Sequence, residues 1–245
     1  MAQIIKKGTH LEQKSRAAGK RSRMWWLLAG LCVVLLIFGV KLGQFLLTVI
    51  GAAGAAVFFV IGVTSGQENR IVQTGIDGET ATANLIRQLP EGYFGFQNVT
   101  VSYQGKSSEL DMVVVGRTGV FIIETKNHNG TIQGSFQEPQ WIQYKTGRRG
   151  GSYSKELYNP VKQVGTHVYR LAHYLRDQGC NVHVDAMVFF TNPQATVQVY
   201  GTPGNIAVYA GQTGAELIFR QILSGNAELQ PAVIRRVCQL LDQSC

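Results

Sequence analysis

The stretch Glu109-Leu-Asp-Met-Val-Val-Val-Gly-Arg-Thr-Gly-Val-Phe-Ile-Ile-Glu-Thr-Lys126 decides the fold. Two apolar runs flank Gly116-Arg117-Thr118-Gly119, whose composition suits a tight turn, so the segment reads as a β-hairpin. With Val115 facing Val120, the register sets Asp111 opposite Glu124 and Glu109 opposite Lys126. Side chains alternate along a strand, so these four polar groups share one face at the open end of the hairpin. Val113, Val115, Val120 and Ile122 lie on that face; Met112, Val114, Phe121 and Ile123 lie on the other. Both faces are apolar, which predicts a central hairpin covered on each side.

Two carboxylates opposed with Cβ atoms ~5 Å apart repel, and burial raises the cost. Such a pair calls for a proton, a cation or a metal ion between its members. A hard divalent ion fits, because Mg²⁺ takes oxygen ligands and keeps open positions for water and phosphate. Lys126, two residues beyond Glu124 on the same face, is placed to orient an attacking water or take its proton.

Outward from the hairpin, GETATANLIRQLP puts Ala81, Leu85 and Leu89 on one face and stops at Pro90, which predicts a helix capped by Asp77 with Glu79 in its first turn. FGFQNVTVSY, TIQGSF, WIQYK, VHVDAMVFF, VQVY and IAVYA read as further strands. A second helix starts at Asn159-Pro160, carries a stripe of Val161, Val164, Val168, Leu171 and Leu175, and ends at Gly179. AELIFRQIL and PAVIRRVCQLL are helical by pattern. The order of elements predicts a mixed α/β domain, a central mixed sheet flanked by helices.

The N-terminal quarter differs. Met24–Val40 holds no charge, and after Lys41 a second apolar run continues to Val63. A bilayer core of ~30 Å takes about 20 helical residues, so the pair reads as two transmembrane helices, over 24–40 and 43–63, joined by a tight turn. Seven cations precede residue 24 against Glu12 alone, while the chain from Thr64 onward holds 15 cations and 14 anions. Most of the formal charge of +8 therefore belongs to the tail. By the positive-inside rule that tail, residues 1–23, stays in the cytoplasm, and two spans return the soluble domain to the same side. The competing topology is a single long anchor that exports the domain. Residues 64–76 are polar and read as a linker. The near-neutral soluble part is no general basic nucleic-acid binder, and four cysteines without CxxC spacing indicate neither zinc knuckle nor disulfide framework.

The Asp111…Glu124-Thr-Lys126 pattern, with Gly78-Glu79 before it, Trp141 after it and NPVKQVGTHVYRLAHYL beyond, resembles the nuclease-related domain branch of the PD-(D/E)xK nuclease superfamily. The likeness covers about residues 77–178; 179–245 would complete the domain. It implies a restriction-endonuclease-like core and a nuclease using Mg²⁺ or Mn²⁺ on nucleic acid, DNA ahead of RNA. It also implies that Asp111 and Glu124 hold the metal, that Lys126 serves the attacking water, that Glu79 is an accessory acid, and that Gln163 is the glutamine following the core motif.

Each assignment has a plainer counterpart. Lys126 can pair with Glu109 across the strands, Glu79 can complement a helix dipole, and Gln163 can be a solvated helix residue in a row with His167, Arg170 and Tyr174. That row, with Arg170, can meet phosphate, as can Lys145, Arg148 and Arg149 in a Gly-rich loop between Tyr144 and Tyr153. The alternative to an enzyme is a membrane-anchored module that binds nucleic acid or protein without cleaving it. Oligomeric state is not encoded in any pattern here.

Overall fold

The computed structural model describes residues 1–6, 10–147 and 150–244, with side chains omitted for 10–13. In chain order the elements are β1 (Gln3–Lys6), α1 (His10–Lys41), α2 (Phe45–Ile86), β2 (Phe94–Tyr103), β3 (Lys106–Gly116), β4 (Gly119–Lys126), β5 (Gly130–Ser135), β6 (Gln140–Thr146) and β7 (Ser152–Tyr158). There follow α3 (Pro160–Asp177), β8 (Val184–Phe190), β9 (Ala195–Tyr200), β10 (Ala207–Ala210), α4 (Gly211–Leu223) and α5 (Pro231–Ser244). The chain divides into two compact units, one of Met1–Lys7 with Asp77–Cys245 and one of Gly8–Ile76.

The first unit is the expected mixed α/β domain. Its six-stranded sheet runs β1-β2-β3-β4-β8-β10, antiparallel across β2, β3 and β4 and parallel elsewhere. A second sheet of four strands runs β7-β6-β5-β9. The hairpin is central and dry on both faces, as its composition predicts. Val113, Val115, Val120 and Ile122 pack with Val164, Leu171 and Leu175 of α3 and with Val237, Leu240 and Leu241 of α5. Met112, Val114, Phe121 and Ile123 pack with Ala83 and Ile86 of α2 and with Ile218 and Ile222 of α4. Each such side chain contributes about 1.5–3 kcal/mol by leaving water.

Trp141 joins the two sheets. It is wholly buried, donates from Nε1 to Ser135 O at 2.9 Å, and lies nearly parallel to Phe190 of β8 with ring centroids 6.3 Å apart. Asn159 caps α3 by accepting from the amides of Val161 (2.9 Å) and Lys162 (3.4 Å), and its own amide donates to the carbonyls of Ser135, Phe136 and Glu138. The helix start expected at Asn159-Pro160 is therefore fixed to the second sheet's β5–β6 connection.

Three expectations are corrected. Residues 64–76 are no irregular linker and Asp77 is no cap: α2 continues unbroken from Phe45 to Ile86. The segment contains no proline, and Gly66 and Gly75 cost only about 1 kcal/mol each in a helix interior. The basic tail over 1–23 contains a strand, β1, which lies parallel to β2 with Gln3 beside Phe94 and Lys6 beside Gln97. The Gly-rich segment after Thr146 leads into another strand, β7, paired antiparallel with β6.

In the second unit, α1 and α2 contain the two apolar runs, and both are long and apolar enough to cross a membrane. Their packing needs small residues: a Cβ on Gly51 would stand 2.6 Å from the Leu36 backbone nitrogen. Trp25 stacks on Phe58 and Trp26 meets Phe59 edge-on, with centroids 5.6 and 5.5 Å apart.

Candidate active site at the open end of the hairpin

The β3–β4 register is the one expected, with Val115 facing Val120 and Met112 facing Ile123. Paired backbone ends there. β3 continues alongside β2, while β4 runs on beside β8 through Lys126, which lies opposite Phe190. The strands separate where the charged residues begin, and Asp111 occupies the opening: its Oδ2 accepts the Thr125 amide at 2.8 Å. Glu109 instead pairs with Thr100 of β2 and is exposed, so the expected juxtaposition with Lys126 does not form.

Lys126 goes elsewhere. Its Nζ donates to Glu124 Oε1 at 2.7 Å and to Gln163 Oε1 at 3.0 Å. Gln163 reaches it because it lies one turn into α3, after the Asn159 cap. One turn further, His167 is buried, with Nδ1 3.3 Å from Glu124 Oε2. That contact is electrostatic and not aligned as a hydrogen bond, which leaves both atoms buried without a hydrogen-bond partner.

Glu79 arrives from the other side. Gly78 makes this possible, since a Cβ there would stand 2.9 Å from Asn127 Cβ and 3.1 Å from Thr191 Oγ1. The helix thus lies close against the end of β4, where Thr82 Oγ1 and Thr125 Oγ1 are 2.9 Å apart. Asn98, opposite Asp111 in the β2–β3 register, adopts φ 57° and interrupts the ladder. Its amide donates to Glu79 Oε2 at 3.4 Å.

The two central carboxylates differ. Enclosure by protein and the charge of Glu124 push Asp111 well above the usual carboxylate range, against the opposing pull of Lys126 and the Thr125 amide. Burial also acts to raise Glu124, but His167 and then Lys126 outweigh it and hold Glu124 below its ordinary value. One acid favours a proton while the other favours charge, the pattern of a pair that must share positive charge. No three His, Cys, Asp or Glu side chains gather into a closed metal cage among the described residues. The donor set nonetheless fits a hard divalent ion, which needs only one or two carboxylates beside water and phosphate. The orphaned Glu124 Oε2 is consistent with a further ligand.

Asp111, Glu124, Lys126, Gln163 and Glu79 are thus brought to one end of the hairpin. Arg170 is not: its guanidinium donates to Ser107 O and Ser108 Oγ at the start of β3. Arg148 and Arg149 lie outside the described residues. His167 and Asn98 were not singled out as site residues by sequence reasoning. Asn98 had a signal, an asparagine inside a strand run, where the residue is disfavoured and tolerates the left-handed region. His167 had only its place four residues after Gln163 in a polar row, which reads equally well as surface.

A mixed sheet flanked by helices, with Asp, Glu-x-Lys and a helix-borne glutamine at the parting of a hairpin, defines the PD-(D/E)xK class. Residues 74–191 match the family model of the nuclease-related domain, and this part of the chain is such a domain. An uncharacterized protein of Bacillus anthracis is 32% identical over 108 residues, which is 42% of this chain and 48% of that relative. The chain thus spans about half the length of the relative it matches. No solved structure gives a significant match.

Proposed function

We propose that the chain is a membrane-tethered nuclease that hydrolyses phosphodiester bonds of DNA, ahead of RNA, with Mg²⁺ or Mn²⁺ held by Asp111 and Glu124. The observation that carries this reading is the clamping of Lys126 Nζ between Glu124 Oε1 and Gln163 Oε1, beside Asp111. A divalent ion at such a pair supplies charge stabilisation for the scissile phosphate and lowers the pKa of water. The chain's own groups do the rest. Lys126 presents an ammonium to the water or to a phosphate oxygen, Gln163 fixes its direction, and His167 holds Glu124 from behind. Glu79, seated by Gly78, adds negative charge next to Asp111. The test is cleavage of labelled DNA and RNA by the full chain in detergent, with and without Mg²⁺ or Mn²⁺. Asp111→Ala and Lys126→Ala are each expected to lower the rate by about 10²–10⁴-fold. Equal activity in all three proteins would sink the assignment, and inactivity of the wild type would favour a non-catalytic binding module.

For topology, the supporting observation is β1. A strand from residues 3–6 hydrogen-bonded to β2 supports an N-terminus and a domain that share one compartment. That reading takes an even number of crossings between them, and α1 and α2 are two helices long and apolar enough to cross. The cations before Met24 favour the cytoplasm as that compartment. Reporters fused at each terminus should both report cytoplasm; reporters on opposite sides would retire this topology.

A further inference from the structure

The second sheet turns a basic face toward the site. Its register sets Trp141 opposite Leu157, Gln143 opposite Lys155, and Lys145 opposite Tyr153, all on one side of β6–β7. Trp141 and Gln143 are buried, so this is the side that looks into the domain. Gln143 Nε2 donates to Asn129 O at 2.6 Å, which draws the face against the loop that follows β4. That loop carries His128, two residues past Lys126 and close enough to feel the charges of Lys126, Lys145 and Lys155.

The charges of this region converge without relief. Burial, and then the positive charges of Lys126, Lys145 and Lys155, push His128 down to about 4. Burial and Lys155 also depress Lys145. Glu156 is the acid nearest in β7, but it lies opposite Ile142 on the other side of the sheet. Among the described residues neither Lys145 nor Lys155 has an ion pair. Diagonal neighbours across two strands lie ~7–8 Å apart, so both ammonium groups can serve one flexible chain of anions. Tyr153, directly opposite Lys145 and exposed, offers a ring face beside them.

We propose that Lys145, Lys155 and His128 form a strand-binding subsite continuous with Lys126, which holds the phosphate backbone of a single nucleic-acid strand while Tyr153 stacks on one of its bases. The proposal rests on the nuclease reading and adds to it the path by which substrate reaches the carboxylates. Two like-charged lysines set diagonally across β6 and β7 carry an electrostatic cost that phosphates relieve, and an aromatic face next to backbone contacts is how sequence-tolerant single-strand sites are built.

The experiment measures fluorescence anisotropy of a labelled single-stranded oligonucleotide with the full chain in neutral detergent and EDTA, across a KCl series. Lys145→Gln/Lys155→Gln should bind at least tenfold more weakly, with a salt slope shallower by about 1.4, since each lost contact removes about 0.7. Tyr153→Ala should weaken binding about tenfold at an unchanged slope. Lys155 is exposed, so unchanged thermal melting of the double variant separates lost binding from lost fold. A double variant with wild-type affinity and slope overturns the subsite. If the wild type cleaves all the same, the nuclease reading stands alone; if it neither binds nor cleaves, both fall. Loss of binding to phosphatidylserine vesicles with oligonucleotide binding intact would also overturn the subsite, and would assign the lysines to lipid headgroups.

Discussion

The two sheets of the domain use charge in opposite ways. In the six-stranded sheet, β3 from Met112 and β4 up to Glu124 are buried throughout, and the charged residues at their end lie where the strands part. Glu124 is only 1% exposed; Lys126 Nζ donates to its Oε1, and His167 Nδ1 stands 3.3 Å from its Oε2. In the four-stranded sheet, β7 is exposed along most of its length, and among the described residues Lys155 has no ion pair. A fully covered hairpin can hold reactive groups in fixed geometry, because apolar neighbours on both faces leave the ends little freedom. A half-covered sheet can leave cations unneutralised, because water screens them until a polyanion arrives. On the proposed reading, the reactive groups and the strand-binding cations thus lie in layers of unlike burial.

The contrast can be broken most strongly at the joint. Trp141→Ala removes the wholly buried ring that stacks on Phe190 and the bond to Ser135. It is expected to cost about 3–5 kcal/mol in urea unfolding, with the second sheet exchanging amide hydrogens faster than β3 and β4. Uniform loss of protection across both sheets would show them to be one cooperative unit and would weaken the division.

A smaller effect sharpens the other half. Asp111 has a folded pKa raised above its unfolded value, so its contribution to stability is fully present below the unfolded pKa and is lost as pH rises through the folded one. At neutral pH without metal, Asp111 is therefore a burden. Asp111→Asn should raise the melting temperature in EDTA at pH 7, with the gain vanishing toward pH 3, while cleavage is lost. A melting temperature lowered at pH 7 would mean that the Thr125 amide, not electrostatic repulsion, dominates at Asp111.

What the sequence discloses follows from how each element earns its stability. Strands carrying their own apolar alternation, such as FGFQNVTVSY and VFIIETK, are legible because burial alone selects them. SYSKELY is not, since β7 exists through its ladder with β6 and has no apolar period. QIIK is too short to register, and its partner lies far along the chain. The continuation of α2 through 64–76 was hidden because a polar stretch without proline satisfies helix and linker equally well. At the site, Asp111, Glu124 and Lys126 were legible from alternation and turn register. Their actual contacts were not, because the parting of β3 from β4 moves Lys126 from Glu109 to Glu124 and Gln163. His167 was read as surface, since nothing in a helical row says that a neighbouring strand carries a buried carboxylate.

The pairing of β1 also sets a schedule for synthesis. Gln3 leaves the ribosome before Phe94 by about ninety residues, and both apolar helices are made in between. The edge of β2 must therefore wait for a partner that was made first and is separated from it in the chain by the whole of α1 and α2. Such a non-local closure forms late, and until it does β2 presents an open edge to other chains. A bulky fusion placed directly ahead of residue 3 would prolong that interval. Fusions at the two ends of this protein should consequently differ in how much of it is recovered unaggregated.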